Sequence, residues 1–197
     1  MGNTRGFKDF MAYNLSDLRV LVIEDNQPML DIIRSILFAF GVGEVYGVRN
    51  GETGFKLYCE IDPDLVICDW MMKPGDGIYF TEQVRSSPMS PNPFVPIILI
   101  TGFSVKKRVM QARDAGVTEF LVKPFTAKDL YARIVQAIER PRKYIRSQNF
   151  FGPDRRRGGN RDDEYSGPKR RKNDTMDKFE KEEIELISKH INKTDFL

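Results

Sequence analysis

Leu65-Val66-Ile67-Cys68-Asp69-Trp70-Met71-Met72-Lys73-Pro74-Gly75-Asp76-Gly77 decides the fold. An apolar run ends at a carboxylate, and proline and glycine turn the chain directly afterwards. Such a run, of strand length and bounded by turn residues, reads as a parallel strand buried on both faces, whose last residue emerges at the carboxyl end of a sheet. Asp69 is thereby placed at a sheet rim. A strand-ending Asp more often serves a turn or a helix N-cap than chemistry, so its meaning depends on what the neighbouring strands deliver beside it.

Working outward, the same alternation of apolar strand and amphipathic helix recurs on both sides. Arg19 to Ile23 is an apolar strand ending in Glu24-Asp25-Asn26. Met29, Ile32, Ile33, Ile36, Leu37 and Phe40 then follow helical spacing, with Pro28 suited to the first turn. Gly43 to Val48 makes a weaker second strand, and Asn50-Gly51 turns into a helix that ends before Pro63. Asp76 to Ser86 is the helix after the central strand. Pro88, Pro91, Pro93 and Pro96 then stiffen a loop leading to a fourth strand, Ile97 to Thr101. A helix from about Val105 to Ala115, a fifth strand at Glu119 to Val122 and a helix from Ala127 to Glu139 complete the series. Five such units predict an α/β fold, a five-stranded parallel sheet doubly wound with helices on both faces.

In open sheets of this kind the site lies outside the carboxyl ends of the strands. Those ends carry Glu24 and Asp25, Asp69, Thr101, and Lys123 followed by Pro124. Crowded carboxylates repel unless a cation joins them, and a hard divalent ion holding few protein oxygens and several waters suits Mg²⁺.

Glu24-Asp25, Asp69, Thr101 and Lys123-Pro124, in that order and at those strand ends, resemble the receiver domain of two-component response regulators, in its stand-alone, CheY-like form. The resemblance covers roughly Leu18 to Arg140. It implies a flavodoxin-like fold of strand order 2-1-3-4-5 and phosphorylation on Asp69. It further implies Mg²⁺ held by Asp25, Asp69 and the backbone carbonyl of Met71, with Glu24 acting through metal-bound water. Lys123 is expected to neutralise phosphoryl oxygens and Thr101 to hydrogen-bond one of them. Phe120 falls where the family has an aromatic switch residue, and plain core is the competing reading. The implied partners are a histidine kinase or histidine phosphotransfer protein upstream and a protein partner downstream. The chemistry fits the residue types independently, since a carboxylate attacks an anionic phosphoryl donor only where the charge is offset. Gly102 leaves space for the phosphoryl group. One departure is the turn after Asp69, which runs one residue longer to its proline than the commoner pattern. The expectation is a switch and not an enzyme: a phosphatase on this fold wants a general acid two residues after Asp69, where Met71 stands.

The rest of the chain divides by charge. Against a net charge of +3 for all 197 residues, Arg140 to Lys172 alone carries 12 basic and 4 acidic side chains. Its few apolar groups predict a disordered basic tail able to contact nucleic-acid phosphates, and a nucleic-acid-binding regulator is the alternative function. Beyond it, Met176, Phe179, Ile184, Leu186, Ile187 and Ile191 share one arc of a C-terminal helix, which docks on the domain, binds a partner or forms a homodimer. The expected division is an N-terminal arm at 1–16, the receiver at 17–140, a basic linker at 141–174 and an amphipathic helix at 175–197. No apolar run is long enough to span a membrane, so a cytoplasmic location is expected. Cys59 and Cys68 lack metal-ligand spacing and read as free thiols.

Overall fold

The computed structural model describes residues 13–102, 106–147 and 150–154. Five parallel strands lie in the order β2-β1-β3-β4-β5: β1 (Arg19–Ile23), β2 (Glu44–Val48), β3 (Leu65–Asp69), β4 (Ile97–Thr101) and β5 (Glu119–Val122). The helices between and after them are α1 (Gln27–Ala39), α2 (Gly51–Ile61), α3 (Gly77–Ser86), α4 (Lys106–Ala115) and α5 (Ala127–Glu139). This is the doubly wound, flavodoxin-like sheet expected from the sequence.

The period-2 alternation of side chains splits the strands between two cores. Val20, Val22, Leu65, Ile67, Ile98, Ile100 and Leu121 face α1 and α5, where Leu30, Ile33, Leu37, Leu130 and Ile134 close the layer. Leu21, Ile23, Val66, Cys68, Ile97, Leu99 and Phe120 face the other way, onto Tyr58, Ile78, Phe80, Val84 and Ala112. At about 1.5–3 kcal/mol for each large aliphatic side chain taken fully out of water, these two layers supply the dominant favourable term of folding. Both cysteines are free, and Cys68 is buried.

Local signals set the helix starts. Asn26, Asn50 and Asp76 each accept a hydrogen bond from a backbone N–H in the first turn of α1, α2 and α3, and Thr126 with Asp129 forms a full capping box on α5. Gly77, at the start of α3, is required by close approach: a Cβ there would lie 2.5 Å from the Asp69 carbonyl oxygen and 2.6 Å from Leu99 Cδ1. The helix after the central strand can therefore begin hard against the end of that strand only because this residue has no side chain.

Two segments depart from the expected division. Leu15, assigned to the arm, is buried in the α1/α5 core, and the turn that follows it is closed by a hydrogen bond from Leu18 N to Leu15 O. At the other end, the chain does not detach after Arg140. Two strands, β6 (Tyr144–Ser147) and β7 (Phe150–Pro153), pair as an antiparallel hairpin, and β7 packs on α3 and α4. Tyr144 Oη donates to the Phe94 carbonyl at 2.8 Å, and the Phe94, Tyr144 and Phe151 rings meet at centroid distances of 5.1, 5.3 and 5.8 Å. Beneath them lies Arg85, whose Nε and Nη1 donate to the carbonyls of Gly116 and Pro93 while its guanidinium stacks on the Tyr144 ring. Arg142 reaches Glu119, which Arg133 also contacts. A charge average over the whole tail does not register these aromatics, whose ring contacts and Tyr144 hydrogen bond anchor the segment to the domain. The remainder of the expected linker, residues 155–174, and the expected helix at 175–197 lie outside the described residues, as do 1–12 of the arm.

Candidate functional site

The carboxyl ends of β1, β3, β4 and β5 bring the expected residues together. Asp69 closes β3 at 6% exposure, and Glu24, just past β1, is 1% exposed. Asp25 follows it with its side chain in solvent. Carboxylate oxygens of Glu24, Asp25 and Asp69 lie within 4.8 Å of one another. Lys123, just past β5, extends across to this cluster, with Nζ 2.7 Å from Asp69 Oδ1 and 2.9 Å from Glu24 Oε2. The backbone positions that lysine, since Lys123 N donates to the Thr101 carbonyl at 2.7 Å where β4 and β5 end side by side.

One ammonium thus meets two carboxylates, and a third stands beside them. Burial pushes the Glu24 carboxyl upward from its ordinary value, against the Lys123 hydrogen bond that acts the other way. For Lys123 burial works downward, but its hydrogen bonds to Asp69 and Glu24 outweigh it and the net direction is up. Lys123 is therefore held as a cation. The second Asp69 oxygen, Oδ2, accepts from the Met71 backbone N–H at 2.8 Å, so both oxygens of that carboxylate are oriented.

The neighbouring positions are also in place. Thr101 is buried at the end of β4, and Gly102 follows it with open space where a Cβ would be. Met71 is exposed on the turn after Asp69. Phe120 lies 8% exposed in the core on the α3/α4 side of the sheet, paired in register with Leu99. Arg49, past the end of β2, was not singled out from the sequence. Its Nη2 and Nε donate to the Asp25 backbone carbonyl at 3.1 and 3.3 Å. A signal for it existed, because β2 belongs to the same sheet and its carboxyl end opens on the same side as the other four. Among the described residues, no helix is long and apolar enough to cross a membrane.

An all-oxygen donor set of three carboxylates, with one ammonium for three negative charges and one carboxylate open to solvent, is chemically suited to a hard divalent cation that keeps water ligands.

Comparison with known proteins agrees with this geometry. The chain is 32% identical over 126 residues to the transcriptional regulatory protein RprY of Bacteroides fragilis, a match covering 64% of this chain and 51% of RprY. It is 33% identical over 118 residues to the chemotaxis protein CheY1 of Helicobacter pylori, covering 59% of this chain and 94% of CheY1. The chain therefore spans about half the length of RprY and nearly all of CheY1. Among solved structures, the receiver domain of a sensor histidine kinase from Pseudomonas aeruginosa, described with magnesium coordinated in its active-site cleft, superposes with a TM-score of 0.54 at 26% identity, covering 60% of this chain and 94% of that one. The response regulator receiver domain profile itself matches residues 20–135, more than half of the chain. With the sheet order, the acidic cluster and that match in agreement, the chain belongs to the response regulator receiver domain family of two-component signalling.

Proposed function

We propose that the protein is a phospho-signalling switch, and not an enzyme, in which Asp69 accepts a phosphoryl group from a histidine kinase or histidine phosphotransfer protein. The observation that carries this reading is the buried Asp69 carboxylate, with one oxygen 2.7 Å from the Lys123 ammonium and two further carboxylates beside it. In the transfer, an Asp69 oxygen forms the new O–P bond as the bond from phosphorus to the donor's leaving group breaks, and the leaving group takes the electron pair. Asp25 and Asp69, with the Met71 carbonyl, are the groups to hold Mg²⁺, and Glu24 is the one to act through its water. Mg²⁺ bound there supplies charge neutralisation for an anionic transfer.

The chain's own residues divide the rest of the work. Lys123 lies against Asp69 and is already positioned to follow charge onto a phosphoryl oxygen. The Thr101 hydroxyl is the group to bond a second oxygen, and the open space at Gly102 leaves room for the group to arrive. Movement of Lys123 and Thr101 towards the phosphoryl group shifts the ends of β4 and β5, and a surface near the fourth and fifth units passes the change to a protein partner.

Incubation with acetyl phosphate and Mg²⁺, followed by intact-mass measurement, tests the reading. The wild-type chain is expected to gain one phosphoryl group, lose the reaction on chelation of the metal, and lose it in Asp69→Asn. Incorporation by Asp69→Asn at the wild-type extent refutes the assignment.

A further inference from the structure

Beyond Lys123, a second cation stands at this site, and it is held in an unusual way. Arg49 is exposed at the rim of a cluster of three carboxylates, yet among the described residues it pairs with none of them. Its guanidinium instead grips a neutral partner, the Asp25 backbone carbonyl, through Nε and Nη2. The turn that carries it is braced. Asn50 caps α2 by accepting from Thr53 N at 2.9 Å, and Gly51 N donates to the Gly75 carbonyl at 2.8 Å, tying this turn to the loop that follows Asp69. The guanidinium is thus held on the loop of Asp25 while the turn that carries it is tied to the loop after Asp69, and among the described residues the remaining N–H donors of its fork are unspent.

Electrostatics gives such a cation a use. Three carboxylates, Glu24, Asp25 and Asp69, face the one Lys123 ammonium, so even a bound divalent cation brings the cleft only to neutrality and leaves it with no net attraction for an approaching anion. A phosphoryl donor is such an anion. Lys123 is 27% exposed and engaged by two carboxylates, whereas Arg49 faces solvent. A planar guanidinium is the side chain best matched to phosphate oxygens, and pairing with a backbone carbonyl keeps it from being neutralised by Asp25.

We infer that Arg49 is a donor-binding residue, the outer cation that receives the anionic phosphoryl donor before transfer to Asp69. This rests on the phospho-acceptor reading and adds to it the group that recognises the donor. Acyl phosphates and phosphoramidates share the recognised chemistry, a terminal phosphoryl group. A donor docked on Arg49 is held by an interaction that ground state and transition state share equally, so its removal lowers donor affinity and leaves the maximal rate in place.

Two measurements test this. Initial rates of phosphorylation by acetyl phosphate and by phosphoramidate, each at saturating Mg²⁺, are expected to show a half-saturating donor concentration raised about tenfold in Arg49→Ala, with the maximal rate within twofold of wild type and partial recovery in Arg49→Lys. Acetonylphosphonate, in which a methylene replaces the bridging oxygen and transfer is impossible, is expected to bind Arg49→Ala about tenfold more weakly than wild type by calorimetry. If a wild-type chain that binds acetonylphosphonate takes no phosphate from either donor, the phospho-acceptor reading fails while the analogue still decides the role of Arg49. Equal binding of acetonylphosphonate by wild type and Arg49→Ala, or a fall in maximal rate at unchanged half-saturation, overturns the inference.

Discussion

Lys123 is the residue on which the charge balance of the site turns, because it is the one cation in contact with both Asp69 and Glu24 among the described residues. Replacing it by alanine removes a positive charge that competes with any metal for the same oxygens, and leaves the phosphoryl group without its ammonium partner. Lys123→Ala is therefore expected to keep the Mg²⁺ response at equal or lower metal concentration while losing the conformational response to phosphorylation. Trp70 reports the first of these, being buried directly after Asp69 with its backbone N–H tied to the Ile100 carbonyl. Abolition of the Mg²⁺-induced fluorescence change in a folded Lys123→Ala variant contradicts this division. At this scale the strand-end residues were legible in the sequence, since each apolar run stops at the residue it delivers. Arg49 was legible only as a strand-end position: that its guanidinium holds a backbone carbonyl 24 residues away is announced by no sequence pattern.

The hairpin of β6 and β7 is the element in which charge patterning misled. Read by composition, the segment after Arg140 is basic and poor in apolar groups. Read by position, Tyr144 and Phe151 come from facing strands and close on Phe94, while Gly152 lets β7 approach α4 closely. A Cβ on Gly152 would lie 2.9 Å from Gly116 Cα and 2.8 Å from Phe150 Cζ. Arg85, buried and held by two carbonyls and an aromatic face, is the group this cover protects, for without the Tyr144 ring a buried guanidinium meets water on one side only. Tyr144→Ala and Phe151→Ala are each expected to cost about 1–3 kcal/mol, as partly buried aromatics that contribute ring contacts as well as area. Trypsin reads the same event locally. Cleavage after Arg142 and Arg146 should be slow in the wild-type chain and faster in Tyr144→Ala. Equal rates would mean that the ring cluster does not hold the hairpin down.

At the scale of the whole molecule, the sheet separates two ends that do different work. The carboxyl ends of the strands carry the acidic cluster and Lys123, whereas the hairpin packs where β4 and β5 begin, against Phe94, Val95 and Gly116, with Arg142 just before it paired to Glu119. Strands of this length, at roughly 3.3 Å per residue, hold the two ends on the order of 15 Å apart. The parallel sheet covered on both faces follows from local alternation, and its strand order from the family resemblance that the strand-end residues carry, which is why both could be read in advance. The hairpin depends on pairings between residues 50 apart in sequence, such as Tyr144 with Phe94, and those emerge only in three dimensions. This separation makes a prediction with three chains. All five sheet strands and five helices are complete by Glu139, so a chain ending at Arg140 is expected to fold and to take phosphate from acetyl phosphate at a rate within twofold of the full protein. It also uncovers Gly116 and the guanidinium of Arg85, bares more of Phe94, which is already 53% exposed, and leaves Glu119 with Arg133 but without Arg142. Its Tm is therefore expected to fall, by about 2–4 °C for each kcal/mol of stability that the hairpin supplies. A chain ending at Asp154 retains the hairpin and is expected to match the full protein in both respects. A lowered phosphorylation rate in the Arg140 chain, with its fold intact, would show that the two ends are coupled through the sheet, and an unchanged Tm would show that the hairpin contributes nothing to the domain it covers.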